Sequence, residues 1–276
     1  MREASDWDIC NGVLHRCCAD GARITVPDGV KEILPDAFRD ATIQCLILPS
    51  EMDSIMPGAF RGSRIQQFIL PTWLRRIEAY AFAGCSVRQI DFPETLSFIG
   101  DSAFESCNDL RSVSFSGPLS VLGTSAFAET GLLRIELPCE QIGAKAFWKC
   151  YDLKQAVLKD AMYIDSLAFA ECRKLSKIEM NDGILSISAC AFWNCEKLDR
   201  VYIPDSVQEI GFGCFYGIRH IKIEINEKLR DAIFDKGNMQ LSWVPEEYIQ
   251  ASKDSIHMKV REISENAGDI VFRQEV

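Results

Sequence analysis

Five cysteines occupy one recurring place: Cys85, Cys107, Cys150, Cys172 and Cys195 each stand three residues after a phenylalanine. So many thiols first suggest a metal. Zinc, however, needs four ligands converging tetrahedrally, whereas groups spaced one repeat apart form a line. A buried free cysteine packs as a small apolar side chain, and that is how these five are read. Cys10, His15, Cys17 and Cys18 form a looser group whose spacing fits no zinc pattern. Twelve cysteines in 276 residues are too few for a disulfide scaffold. In a reducing compartment they stay thiols.

Other chemistry is sparse. The histidines number three, His15, His220 and His257, and none adjoins a nucleophile motif such as Gly-x-Ser-x-Gly. Neither a phosphate-binding loop nor a dinucleotide fingerprint occurs. Carboxylates are plentiful, 40 Asp and Glu in all, but periodic ones on coil surfaces are usually solvated. The expectation is a protein that is not an enzyme, with no catalytic residues, no cofactor and no metal. A net charge of −10 argues against nucleic acid, whose phosphates demand a basic surface. It also argues against an anionic membrane surface. No apolar run approaches the roughly 18–20 residues of a membrane span, so no membrane insertion is expected. Residues 1–10 lack the apolar core of a secretory signal and the last five lack an anchor motif. A complete chain would then be cytoplasmic; one that has lost a leader would be secreted or on the cell surface.

What positions these residues is a repeat. Phe38, Phe60, Phe82, Phe104, Phe127, Phe147, Phe169, Phe192 and Phe215 are spaced 22, 22, 22, 23, 20, 22, 23 and 23 residues apart. Alanine precedes every one but the last, where Cys214 stands instead. Five residues before each Phe is an Ile, or Leu122 in one copy. Each unit also holds a short alternating run, ten in all, such as Leu46-Ile-Leu-Pro49, Ile135-Glu-Leu-Pro138 and Val201-Tyr-Ile-Pro204. Apolar, variable, apolar is the period of a strand with one buried face. A proline, which has no N–H, suits the strand exit. One such unit cannot bury its own apolar face; stacked units can, Phe on Phe and Ile on Ile. A short helical or 3₁₀ corner is expected at Ala-Phe-x-x-Cys-x-x-Leu.

Ile-Gly-Asp-Ser-Ala-Phe-Glu-Ser-Cys at 99–107, and Ile-Pro-Asp-Ser-Val-Gln-Glu-Ile-Gly at 203–211 followed by a Cys-Phe-Tyr-Gly corner, resemble the BspA-type leucine-rich repeat. The resemblance spans about residues 23–224. It implies an α/β fold: a right-handed leucine-rich-repeat solenoid with a parallel β-sheet, about nine repeats plus terminal caps. It also implies roles in adhesion or protein binding, often in surface proteins. The repeat at Cys139-Glu-Gln-Ile142 is two residues short, and Ser116-Gly-Pro118, Lys159 and Asn181 replace the strand-exit proline; these are expected to loosen or bend the stack locally. Residues 1–22 read as a capping hairpin around Asn11-Gly12, a strong hairpin signal. Residues 225–276 read as a small α+β cap or an interaction module. They hold a short helix near Asn226–Phe234 and strands at Met239–Trp243, Ile256–Val260 and Ile270–Phe272.

Residues between the buried anchors of a strand point outward. One outward row includes Ile47, Ile69, Asp91, Glu136, Glu179 and Tyr202; a second, two residues earlier, includes Gln67, Gln89, Arg134, Lys177, Arg200 and His220. A face of mixed charge with an aromatic suits a protein partner, where Tyr and Arg often anchor. These twelve are the candidate binding residues. The alternative is a solvated sheet whose opposite charges pair with one another. Trp148, Trp193 and Tyr216, each just after a Phe, could stack on a carbohydrate but are better read as packing between corners. The function expected is a scaffold binding a protein through the sheet. The other two readings are a surface adhesin for host protein or glycan, with glycan the less favoured ligand, and a structural or self-associating repeat. If the Phe column is the core, Phe104→Ala should cost roughly 3–5 kcal/mol, more than Phe38→Ala at the stack end. Equal shifts in melting temperature would count against a stacked core.

Overall fold

The computed structural model describes residues 6–39, 41–218, 222–225 and 271–272. The chain winds into a parallel β-solenoid of about nine turns, and each coil has three sides. The first is the expected alternating strand. In Gln89–Phe92 and Arg134–Leu137 every second residue is buried and the others are exposed. Equivalent residues pair in parallel register: Leu46 with Ile24 and Phe68, Ile90 with Val113, Ile135 with Ala156, Val201 with Ile223.

The second side is a ladder that the sequence pattern does not announce. The Ile five residues before each Phe closes a strand that is only two residues long in most coils. Eight of these, from Ser54–Ile55 to Glu209–Ile210, pair side by side in one unbroken parallel sheet. The long strands are less continuous. They form a five-stranded sheet from Gly21–Thr25 to Ser112–Phe115, a three-stranded one from Arg134–Leu137 to Lys177–Glu179, and a third containing Arg200–Tyr202, Lys222–Ile225 and Val271–Phe272.

The third side corrects an expectation. Among the described residues there is no α-helix or 3₁₀ helix, so the α half of the α/β label is not confirmed. The Phe corner is a run of turns, with Ala59 N, Arg61 N and Ser63 N donating to Met56 O, Gly58 O and Phe60 O at 3.0–3.2 Å. The residues two before and two after each Phe have φ between 52° and 84° from Gly58 through Gly217. Those positions are glycine in some coils and Tyr80, Leu167, Cys190 and Asn194 in others. A left-handed residue turns its N–H out of its own coil. The Phe N–H accordingly donates to the next coil, from Phe60 N to Ala81 O through Phe192 N to Cys214 O, at 2.7–2.9 Å. A helix would spend these donors within the coil; here they hold coil to coil.

The Phe side chains stack inside this frame. From Phe82 to Phe215 consecutive rings lie 4.9–5.7 Å apart with planes within 9° of parallel. Strands in a sheet repeat at about 4.8 Å, so the backbone sets the ring spacing. The N-terminal hairpin Trp7–Cys10/Val13–Cys17 turns at Asn11 (φ 51°) and Gly12 (φ 78°). It sets Trp7 edge-on against Phe38 at 6.3 Å. Phe38 is therefore as sealed as Phe104, both 0% exposed. What distinguishes the stack end is ring contact: Phe38 is tilted 39° to Phe60, whereas Phe104 lies between two parallel rings.

The irregular repeats have specific structures. In regular coils the strand-exit proline begins a turn, as in Leu74 N to Pro71 O (3.2 Å) and Leu96 N to Pro93 O (3.1 Å). The short repeat omits that turn, and Pro138 O instead accepts from Leu119 N at 2.7 Å. Cys139–Ile142 thereby extends to four residues and pairs with Leu119–Leu122. Asn181 clamps its neighbour: Ala161 N donates to its Oδ1 and its Nδ2 donates to Ala161 O, both at 3.0 Å. Where the long ladder lapses after Phe115, Arg111 bridges coils through Gly131 O at 2.8 Å and Asp152 at 3.4 Å. The expected helix at 226–234 and strands at 239–243 and 256–260 lie outside the described residues. The strand expected at 270–272 appears as Val271–Phe272.

Ser125 tests the corner, because it is half-buried at φ 55° with no side-chain hydrogen bond among the described residues. Ser125→Gly is expected to raise stability by about 0.5–1 kcal/mol, since glycine enters this region freely. Ser125→Val should lower it by more than about 1 kcal/mol. Urea midpoints of the two variants decide, and a loss in both would refute the left-handed corner.

Candidate functional site

The outward face of the long strands carries the residues that the pattern singles out. Ile47 lies directly beside Ile69, and Gln67 beside Gln89. Asp91 is next to Ser114, whose Oγ donates to Asp91 Oδ1 at 2.5 Å. In the middle sheet Arg134, Gln155 and Lys177 form one row and Glu136, Val157 and Glu179 the next. Arg200 and Tyr202 belong to the third sheet. The gaps in the long ladder thus divide the candidates into three groups, and His220 lies outside the described residues.

The middle group is internally neutralised. Arg134 Nη2 lies 3.2 Å from Glu136 Oε1, and Lys159 Nζ 3.0 Å from its Oε2. Lys177 Nζ meets Glu179 Oε1 at 2.5 Å, and Gln155 Nε2 donates to the same oxygen at 3.2 Å. The Lys159 ammonium above all, and then Arg134, hold the Glu136 carboxyl below its ordinary range; Lys177 does the same to Glu179. Two of the pairs run along a strand, between residues two apart, while the Lys159–Glu136 pair and the Gln155 bond join neighbouring coils. Exposed pairs of this kind contribute little to stability. They do leave this part of the face with few unspent charges.

The five-stranded part is different. Ile69 is 38% exposed, and Trp73, in the turn that follows its strand, is 64% exposed. The strand pattern places Ile69 outward. It does not find Trp73, which falls in the proline turn; the only signal is an aromatic at a position occupied by Glu51 and Thr95 in the adjacent coils.

The five corner cysteines lie buried inside the stack. Cys107, Cys150, Cys172 and Cys195 each donate Sγ–H to the carbonyl of the Phe one coil back, Phe82, Phe127, Phe147 and Phe169, at 3.0–3.1 Å. Cys85 departs from this, with its Sγ 3.1 Å from Ser63 Oγ and 3.5 Å from Ile65 O. The thiol is therefore an inter-coil donor as well as an apolar filler. Burial pushes the thiols of Cys85 and Cys190 up to about 11 and that of Cys139 up to about 12. No group of three or more His, Cys, Asp or Glu that could hold a metal occurs among the described residues. Trp148 and Trp193 are half-buried against Leu167, Ala170 and Cys190, and Lys149 Nζ lies 3.9 Å from the Trp148 ring centre. These aromatics pack between corners. Glu171, 6% exposed, accepts from Arg173 Nε and Asn194 Nδ2, both at 2.8 Å. No helix among the described residues is long and apolar enough to cross a membrane.

Residues 31–154 and 140–247 match the model of the BspA type leucine-rich repeat region, in six copies. No curated protein matches the chain significantly. Among solved structures, the pneumococcal vaccine antigen PcpA is 19% identical over 81% of this chain and 80% of that one, with a TM-score of 0.47. A leucine-rich repeat protein of T. pallidum is 21% identical over 80% and 85%, with a TM-score of 0.44. A leucine-rich cell surface protein of Faecalibacterium prausnitzii is 17% identical over 78% and 84%, with a TM-score of 0.42. Likeness at this level carries no argument about partners.

The thiols give a direct check on the stack. Cys10 and Cys18 are exposed, Cys45 is half-buried and the other nine are buried. Titration of the native protein with a thiol reagent at pH 8 should label two sites quickly and a third slowly, with nine appearing only on denaturation. Fast labelling of Cys107 or Cys172 would contradict the ladder.

Proposed function

This chain belongs to the BspA-type leucine-rich repeat family, and from that premise we propose that it is a non-enzymatic scaffold whose protein partner docks on the outward face of the long strands, centred on Ile47 and Ile69. The supporting observation is the contrast along that face. Arg134, Glu136, Lys159, Lys177 and Glu179 pair among themselves, whereas Ile47 and Ile69 adjoin each other with Ile69 38% exposed. Interfaces draw their affinity from a few desolvated anchors, Trp prominent among them, within a polar rim. Ile69 and Trp73 supply the anchors, Gln67 and Gln89 the rim. Arg200 and Tyr202 extend the same face and are secondary contacts.

Affinity capture with three immobilised forms tests this. Wild type and the Arg134→Glu/Arg200→Glu variant should retain one stoichiometric protein. An Ile69→Asp/Trp73→Ala variant with unchanged melting should retain at least about tenfold less, as expected when hot-spot residues are lost. If the charge reversal abolishes binding and Ile69→Asp/Trp73→Ala does not, the site belongs to the middle and third sheets instead. Equal capture by all three forms would remove the face altogether.

A further inference from the structure

The short ladder has an outward face of its own. Across it runs an open groove of about 530 Å³ extending from Asp101 to Ser188, a volume within the roughly 300–1,000 Å³ typical of small-ligand sites. We propose that this groove binds a neutral oligosaccharide lying along the stack axis.

The floor comes first. After the buried Leu122 and Ile142 the next residues are Gly123 and Gly143. A Cβ on Gly123 would lie 2.6 Å from Asp101 N, and one on Gly143 2.6 Å from Leu122 O. Close approach of successive coils excludes a side chain at either place. The floor is therefore bare backbone, where later coils carry Asp165 and Ser188 and an earlier one Glu78.

The walls hold unspent binding capacity. Tyr163 is 42% exposed, and neither its ring nor its hydroxyl has a partner among the described residues. Phe98 stands three places along the same row, but its ring is already covered by the Arg76 guanidinium at 3.9 Å, which is itself held by Glu78 at 2.7 Å. Asp101 Oδ1 accepts from Thr124 N at 2.7 Å, and Asp165 Oδ1 from Ser166 N at 2.6 Å. Each carboxylate is oriented through one oxygen and offers the other. Neither has an ion-pair partner among the described residues, and no Lys or Arg lines the groove. The side chains of Gln141, Ser186 and Ser188 likewise make no hydrogen bond among the described residues.

These are the groups a sugar needs. An oriented carboxylate accepts from vicinal hydroxyls, amide and hydroxyl side chains both donate and accept, and an aromatic ring covers the apolar face of a pyranose. Asp101 and Asp165 sit on coils three ladder steps apart, about 14 Å at 4.8 Å per step, which suits a trisaccharide. The two carboxylates, with no cation beside them, exclude sialylated and sulfated glycans. A basic peptide would answer the carboxylates but leave Tyr163 and the hydroxyl-rich wall unused. This groove lies on a different side of the coil from Ile69, so the site does not depend on the protein-docking face.

Calorimetric titration of the full chain tests it, with maltotriose, cellotriose and triacetylchitotriose as neutral probes and 3′-sialyllactose and trilysine as charged ones. At least one neutral trisaccharide should bind at a single site. Tyr163→Ala and Asp165→Asn should each weaken it at least tenfold without changing the melting temperature, and Tyr163→Phe should retain most of the affinity. The Ile69→Asp/Trp73→Ala variant should bind the sugar as wild type does, so this result and that of the protein-docking test are read separately. Absence of binding by all three neutral sugars, equal or tighter binding of sialyllactose or trilysine, or undiminished affinity in Tyr163→Ala would each overturn the proposal.

Discussion

Every coil must repeat at the spacing of a hydrogen-bonded ladder, and the rest of the molecule follows from that constraint. At about 4.8 Å per step a phenylalanine at a fixed position can only stack on its counterpart, offset and nearly parallel. The rings do so from Phe82 to Phe215. Each buried ring contributes about 1.5–3 kcal/mol by transfer from water, but only because the coils above and below cover it. A single coil has no interior. Trp7 matters for the same reason: it supplies an aromatic cover where the hairpin meets the first ring.

The same spacing governs the polar groups. A coil that must bond to its neighbours has to aim backbone N–H groups along the stack, and the Phe corner does this with left-handed residues on both sides of the ring. Tyr80, Leu167 and Cys190 accept an unfavourable conformation there, held by bonds on every side. Cys107, Cys150, Cys172 and Cys195 add a thiol donor to the Phe carbonyl of the coil behind. A chemistry-bearing residue type is thus used for its size and its weak donor. The buried carboxylate of Glu171 is likewise absorbed by Arg173 and Asn194.

Once the interior is fixed, the faces differ in what they leave unused. On the long strands the middle sheet spends its charges internally, and the five-stranded part leaves Ile69 and Trp73 in water. On the short ladder, coil contact at Gly123 and Gly143 removes side chains and opens a groove beside Tyr163. The deletion before Ile142 belongs to the same account. Without the proline turn, Cys139–Ile142 straightens into a longer strand, and the short ladder stays continuous beneath a long ladder that has already lapsed.

The nine phenylalanines, the Ile at a constant offset, the alternating strands and the Asn11-Gly12 hairpin are legible in the sequence, because buried positions tolerate few residue types and so repeat visibly. The outward registers of Ile47, Ile69, Arg134 and Glu136 follow from the same alternation. The short ladder was not legible, since two residues are too few to show a period. Nor was the corner, where Leu167 and Tyr80 occupy a conformation their own propensities disfavour and a helix was the natural reading. The pairing of Glu136 with Lys159, the exposure of Trp73 and the glycine-floored groove depend on side chains from different coils and turns meeting in space. The sequence by itself determined which residues face inward, since that follows from apolar character at a fixed period. Only the tertiary structure decided which outward groups neutralise one another and which remain free, because alternation gives the direction of a side chain but not its partner, and contacts such as Lys159 with Glu136 and Gln155 with Glu179 exist only once the coils are stacked.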